Sequence, residues 1–243
     1  YQSQNLYIQI TSFRQDNSDV YVADIYLRSM DCLQRGFAGG KWKKTQAKVR
    51  VIAQDNYAVM AMTGDNSQNF TAGWVVANGN ILRKTKNSKR DLCLIYRTGE
   101  MVTLKAAQID HKKITDEMDQ LWQSFLFGPV LLDENGKAMA KFNTNVGPAN
   151  PRSVIGYYEP GHYCLVQVDG RRTESRLEKG KINVGMTMKQ TSALMEQLGC
   201  AAAYNLDGGQ SSVLWYNGEN LSNPYNGGRN VMDAVLILDG AVN

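Results

Sequence analysis

Apolar and polar positions alternate along most of this chain, and short turn signals break the alternation at regular intervals. Residues 6–27, LYIQITSFRQDNSDVYVADIYL, read as two strands around a polar turn, with Val20, Val22 and Ile25 set against polar neighbours. KVRVIAQDNYAVMAMTGD gives a short helical piece followed by a buried strand over Tyr57 to Met62. Four further hairpins are predicted: AGWVVANGNILR at Asn78-Gly79, DLCLIYRTGEMVTL at Thr98-Gly99, GPVLLDENGKAM at Asn135-Gly136, and SVIGYYEPGHYCLVQVDG at Pro160-Gly161. Helical spacing is clearest in TMKQTSALMEQLGC, with Thr187 as N-cap, an apolar stripe of Leu194, Met195 and Leu198, and Gly199 as the stop. TDEMDQLWQSF is a second helix candidate, capped by Thr115 with acids in its first turn. Hairpins dominate, so the expected fold is one α+β domain over residues 1–243. Its core is a largely antiparallel or mixed β-sheet, with a few flanking helices.

Composition changes this picture little. The 243 residues are 43% hydrophobic and 21% charged, ordinary for a globular chain with a continuous core. A net charge of +4 is too small to call for nucleic acid as a partner, and the basic stretches RGFAGGKWKKTQAKVR and RKTKNSKR read as solvated loops or exposed faces. No apolar run is long enough to span a bilayer. The chain begins at Tyr1, so a processed or trimmed start is expected. Cys32, Cys93, Cys164 and Cys200 contain no CxxC; Cys164 and Cys200 sit in apolar surroundings and read as buried thiols, while the even count is compatible with two disulfides.

Several chemistries lack their residues. The two histidines are His111, in a charged run, and His162, in a hairpin turn, and GGQSS is not the GxSxG elbow of a serine hydrolase. HExxH, Cys/His clusters, the Walker lysine loop, GxGxxG and EF-hand spacing are all missing from the sequence. Catalysis would therefore fall to carboxylates, arginines, hydroxyls and backbone amides. The segment NLDGGQSS, residues 205–212, interrupts an otherwise apolar run with an acid, two glycines and two serines. Asp-Gly-Gly is first of all a turn, but paired glycines also let successive N–H groups converge on an anion, with Asp207 at the lip. Other apolar strands end the same way: TGD at Asp65, NPR at Arg152, VDGR at Asp169 and Arg171, and GGR at Arg229. Each is a solvated turn when taken singly; together they predict a shared cleft in which guanidinium groups clamp phosphate.

The ordered series YAVMAMTGD, AGWVVANGNI, FGPVLL, NPRSVIG, LVQVDGR, LGCAAAYNLDGGQSS and GGRNVMDAVLIL resembles the phosphodiester glycosidase family over roughly residues 55–240. The resemblance implies hydrolysis of the glycosidic C–O bond of sugar-1-phosphodiesters, of the GlcNAc-1-phosphate type, in glycans, wall polymers or exopolysaccharide. It also implies a secreted or surface location, since bacterial relatives are exported. Carried over by motif, Asp65, Asp207 and Arg152 would be catalytic, and Asp169, Arg171, Asn205, Gly208, Gly209, Ser211, Ser212 and Arg229 would hold substrate or phosphate. No cofactor is required; a divalent cation near Asp65 or Asp207 is conceivable but not indicated, and no metal ligand is assigned. The expected partner is a carbohydrate phosphodiester, without nucleic acid. Three features depart from the family: in TGDNSQ, Thr63 replaces an amide and the usual aromatic pair is absent; Gln210 stands where a third glycine is usual; and ESRLEKGKINVGMT, which contains Ser175, is longer than the family's short Ser-x-Gly connection. Two alternatives stay open: a non-catalytic module that binds anionic glycans in the same cleft, and a phosphodiesterase that cleaves P–O.

Overall fold

A computed structural model describes residues 1–86 and 89–240. Two five-stranded antiparallel sheets share the central core. In the first, the strand order is β1 (Leu6–Gln15), β2 (Ser18–Leu27), β11 (His162–Val168), β10 (Arg152–Glu159) and β12 (Ala202–Asn205). The β1–β2 hairpin turns on Asp16 and Asn17, both at positive φ, the two-residue geometry that matches strand twist. In the second, the order is β14 (Glu219–Asn220), β13 (Leu214–Tyr216), β4 (Met60–Thr63), β15 (Asp233–Ile237) and β3 (Leu33–Phe37). Ile25, Ile155 and Leu165 of the first sheet and Met60, Leu214 and Val235 of the second belong to one buried cluster.

Two helices cover other faces. In α3 (Met188–Gln197), Leu194 and Met195 are fully buried on Val154, Cys164 and Val166 of the first sheet, each contributing about 1.5–3 kcal/mol. Its capping box is complete, with Thr187 accepting from the Gln190 amide, and Gly199 follows at φ 78°. In α1 (Val49–Asp55), Val49, Ile52 and Ala53 pack against Ala61, Trp215 and Leu236 of the second sheet.

A smaller layer completes the fold. β8 (Met101–Leu104), β7 (Leu92–Tyr96) and β9 (Leu121–Phe125) form a three-stranded sheet, beside the hairpin of β5 (Gly73–Ala77) and β6 (Asn80–Thr85). Ser124 Oγ joins the two by accepting from Val76 N at 2.8 Å and donating to Trp74 O at 2.9 Å.

The antiparallel α+β class and the turns at Asn78-Gly79, Thr98-Gly99 and Pro160-Gly161 agree with the sequence pattern. Elsewhere the structure corrects it. The helix expected over 115–125 is instead α2 (His111–Asp116), capped by Asp110, then one 3-10 turn and the strand β9. Pairing with β7 overrides the local helical signal because all five β9 residues are buried. Around Asn135-Gly136 only the isolated bridge Leu132–Ala138 forms. The basic stretch from Arg35 is not uniformly solvated: Arg35 lies in the core on β3. In the second basic stretch, residues 83–85 belong to β6, while Asn87 and Ser88 lie outside the described residues.

Candidate active site

The interruption at 205–212 is the crossing between the two large sheets. β12 ends at Asn205 in the first sheet and β13 begins at Leu214 in the second. Leu206 is buried in the core and the Asp207 amide donates to Gly64 O at 3.1 Å, which anchors the crossing. Gly208 passes so close to the preceding loop that a Cβ there would lie 2.8 Å from Pro151 O. Gly209 adopts φ +62°, and its amide donates to Pro151 O at 2.9 Å rather than into the open. The amides of Ser211 and Ser212 close the 3-10 turn onto Gly208 O and Gly209 O. Among the described residues, the amides of Gly208 and Gln210 have no backbone partner. Within this turn the amides without a backbone partner are therefore alternate rather than consecutive, and both belong to residues that line a cavity.

Gly208→Ala is expected to destabilise the protein by about 1–3 kcal/mol, because backbone rather than a flexible side chain blocks the new methyl. Urea denaturation checks this, with an unchanged midpoint counting against the close approach.

A cavity of about 400 Å³ opens over this crossing. Arg152, Arg171, Asp207, Gly208, Gly209 and Arg229, all expected from the sequence, line it. The Arg152 guanidinium is buried and donates from Nε to Met186 O at 2.9 Å and from Nη2 to Pro148 O at 2.5 Å. Burial, followed by the nearby charge of Arg171, lowers its pKa to about 10, so it stays protonated at neutral pH. Arg171 reaches Asn150 Oδ1 and lies 5.8 Å from the Tyr225 ring centroid. Among the described residues neither guanidinium pairs with a carboxylate. Arg229 does: its Nη2 sits 3.1 Å from Asp207 Oδ2, and its Nε donates to Ser211 Oγ at 2.5 Å. Burial raises the Asp207 carboxyl above the ordinary range, against the opposing effects of Ser211 and Arg229.

The other predicted residues do not face this cavity. Asp65 is fully buried in a charge cluster. Its Oδ1 accepts from the Leu126 and Phe127 amides, both at 2.7 Å, and its Oδ2 lies 3.4 Å from Arg35 Nη2. Arg35 Nε donates to Asp233 Oδ2 at 2.6 Å, and Asp233 accepts in turn from the Asp65 and Asn66 amides. Burial pushes the Asp65 pKa up to about 6 against the pull of Arg35. Asp65, expected at the catalytic centre, thus turns its carboxylate away from the cavity and onto the amides of Leu126 and Phe127, the second of which is a cavity-wall residue. Asn205 donates to Gly128 O and Leu206 O, and the Ser212 hydroxyl meets Ser153 Oγ at 3.1 Å, so both brace the crossing from inside. The Ser211 hydroxyl accepts from Arg229 Nε at 2.5 Å and its hydrogen bond to Asp207 lowers that carboxyl's pKa, so Ser211 supports both members of the ion pair. Thr63 supports the same turn by accepting from Val213 N at 3.1 Å and donating to Ser211 O, a structural use of the departure seen in the sequence.

Asp169 belongs to a separate buried cluster. Its oxygens accept from the Asn223 amide at 2.8 and 3.1 Å, tethering the loop that carries Tyr225 and Arg229. Ser175, in the lengthened segment, donates to the buried Asp19 at 2.6 Å, so that segment packs on the β1–β2 hairpin. Burial raises the Asp169 pKa to about 7, against the Asn223 amide. A raised native pKa means that the native state holds this proton more tightly than the unfolded chain. The group's stabilising effect is full below about pH 4, near the ordinary carboxylate value, and is lost as pH rises through 7. Melting temperatures of Asp169→Asn are expected to fall less steeply than those of the native protein between pH 5 and 8. Parallel slopes would contradict this.

Asn66, Phe127, Val146, Asn150 and Gln210 complete the cavity and were not predicted. Four of them adjoin or lie within motifs that were, as in TGDN, FGP, NPR and GGQ. Val146 carried no signal.

Residues 49–238 match the phosphodiester glycosidase family, and the chain belongs to that family. Its fold is similar to the catalytic domain of zebrafish N-acetylglucosamine-1-phosphodiester alpha-N-acetylglucosaminidase, auto-inhibited there by its pro-peptide. That likeness has a TM-score of 0.73 at 18% identity, over 97% of this chain and 83% of the other. A hypothetical protein from Synechocystis is similar at a TM-score of 0.63 and 13% identity, over 96% and 62% of the two chains. In sequence, 150 residues are 27% identical to the SPbeta prophage-derived uncharacterized protein YomE of Bacillus subtilis strain 168, covering 60% of this chain and 22% of that protein. The chain thus matches about a fifth of this relative's length.

Proposed function

We propose that the protein hydrolyses the bond between the anomeric carbon of a sugar and a phosphodiester oxygen, of the GlcNAc-1-phosphate type, in glycans, wall polymers or exopolysaccharide outside the cell. One observation carries this reading: Arg152 and Arg171, neither paired with a carboxylate, share a cavity wall with the Asp207–Arg229 ion pair.

The charges suit C–O cleavage. A phosphodiester carries one negative charge, whereas the departing phosphate monoester carries nearly two at neutral pH, its second pKa being about 6. Two uncompensated guanidiniums favour the more charged species, so they stabilise the transition state more than the bound substrate. Such a leaving group needs no acid to protonate it, and a single carboxylate suffices where most glycosidases use two. Water oxygen bonds to the anomeric carbon, and the C–O electron pair leaves with the phosphate. The water proton passes to Asp207 and then to solvent. The raised Asp207 pKa makes it a stronger proton acceptor than an exposed carboxylate.

Convergence of Arg152, Arg171, Asp207 and Arg229 favours an enzyme over a non-catalytic glycan-binding module. Hydrolysis of a synthetic GlcNAc-1-phosphodiester in oxygen-18 water is the test. Label is expected in the sugar; label in the phosphate would mean P–O cleavage, and no turnover would leave only binding.

A further inference from the structure

A second recess of about 180 Å³ shares Asn66, Asp207 and Arg229 with the first and is otherwise lined by Gln46, Asn69, Asn230 and Val231. The two recesses therefore meet at the Asp207–Arg229 ion pair but differ in chemistry. The larger holds the guanidiniums of Arg152 and Arg171. The smaller adds no charged side chain to the shared pair; three carboxamides besides Asn66 form its wall. Each carboxamide offers two donors and an acceptor, a set that matches vicinal hydroxyls and carries no net charge.

The smaller recess is also held in shape. Asn69 Nδ2 donates to Asn66 Oδ1 at 2.9 Å, and the Asn66 amide donates to Asp233 Oδ1 at 2.9 Å, which ties both to the buried Arg35 cluster. Beside Gln46, Ala47 and Val231 exchange both backbone hydrogen bonds, at 3.0 and 2.8 Å.

We infer that the smaller recess binds the sugar as a single neutral, hydroxyl-rich ring, with Gln46, Asn66, Asn69 and Asn230 selecting it. The phosphate lies on Arg152 and Arg171, and the scissile bond lies at Asp207. This orientation rests on the proposed hydrolysis of sugar-1-phosphodiesters. A uronic acid is disfavoured, because Asp207 repels its carboxylate and Arg229 is already paired.

Titrations of the full chain with N-acetylglucosamine, glucose, glucuronic acid and inorganic phosphate, followed by NMR, test the assignment. A neutral sugar and phosphate are expected to bind together, and glucuronic acid at least about 10-fold more weakly than glucose. Asn69→Ala is expected to weaken neutral-sugar binding about 10-fold and leave phosphate unchanged, the scale of one lost hydrogen bond. Arg171→Ala is expected to weaken phosphate at least as much and leave the sugar unchanged. Mutual exclusion of sugar and phosphate, weakened phosphate binding in Asn69→Ala, or no binding of any neutral sugar would overturn the assignment. Turnover separates the two claims. Independent binding without hydrolysis removes the activity but keeps the recess; hydrolysis whose sugar preference ignores Asn69→Ala removes the recess but keeps the activity.

Discussion

Asp207→Asn is expected to lower kcat on a GlcNAc-1-phosphodiester by about 10²–10⁴-fold, the usual contribution of a positioned general base. Asparagine keeps the shape and can still accept from Arg229 Nη2, now 3.1 Å from Asp207 Oδ2, so fold and KM should change little. Lost is the lone pair that receives the water proton. The native rate should fall as pH drops through the Asp207 pKa, which burial holds above the ordinary carboxylate range, and this acid limb should vanish in the variant. Reducing-sugar release across pH 4 to 8 measures both effects. A variant rate within a few-fold of native, or an unchanged acid limb, removes Asp207 from the chemistry.

The second large effect is on stability. Arg35→Met should cost about 3–5 kcal/mol, because it removes the cation between two buried carboxylates and adds no new partner for either. Beyond Asp65 and Asp233, Arg35 also donates to Ser67 Oγ at 2.5 Å and Ser124 O at 3.0 Å, so one side chain joins β3 to β9 and to the Asp65 turn. At roughly 2–4 °C per kcal/mol for a chain of this size, the melting temperature should drop by about 10 °C. Without the opposing charge of Arg35, burial favours the neutral form of the Asp65 carboxyl more strongly, so acidification should restore part of the loss. The gap between variant and native should therefore be narrower at pH 5 than at pH 7. Thermal melts at both pH values decide it, and a drop under 2 °C would show that the cluster contributes little.

Arg35 also shows where a sequence stops being readable. It opens a basic stretch with the composition of a solvated loop, and its partners Asp65, Ser124 and Asp233 lie 30, 89 and 198 residues away. The same limit produced the missed strand β9. Gln123 and Ser124 look solvent-facing locally, yet they are buried and bonded to Leu33 O and Trp74 O on other strands and to Asn78 in the β5–β6 turn. What could be read were features set by local backbone rules, including most of the hairpin turns, the Thr187 N-cap and the Gly-Gly turn. Cavity residues were legible where they flank such backbone features, as Arg152, Asp207 and Arg229 do. Asp65 and Asp169 follow the same sequence pattern, but tertiary packing turns their carboxylates onto backbone amides. An acid after a strand end does not reveal which way it points.

The placement of the cavity at the junction of two sheets has a mechanical consequence. Arg152 starts β10 in one sheet, while Arg229 approaches β15 in the other, with Asp207 on the link between them. An anion spanning these groups acts as a rivet between the layers. At a hundred times its Kd it would add about 2.7 kcal/mol to the cohesion of the whole protein.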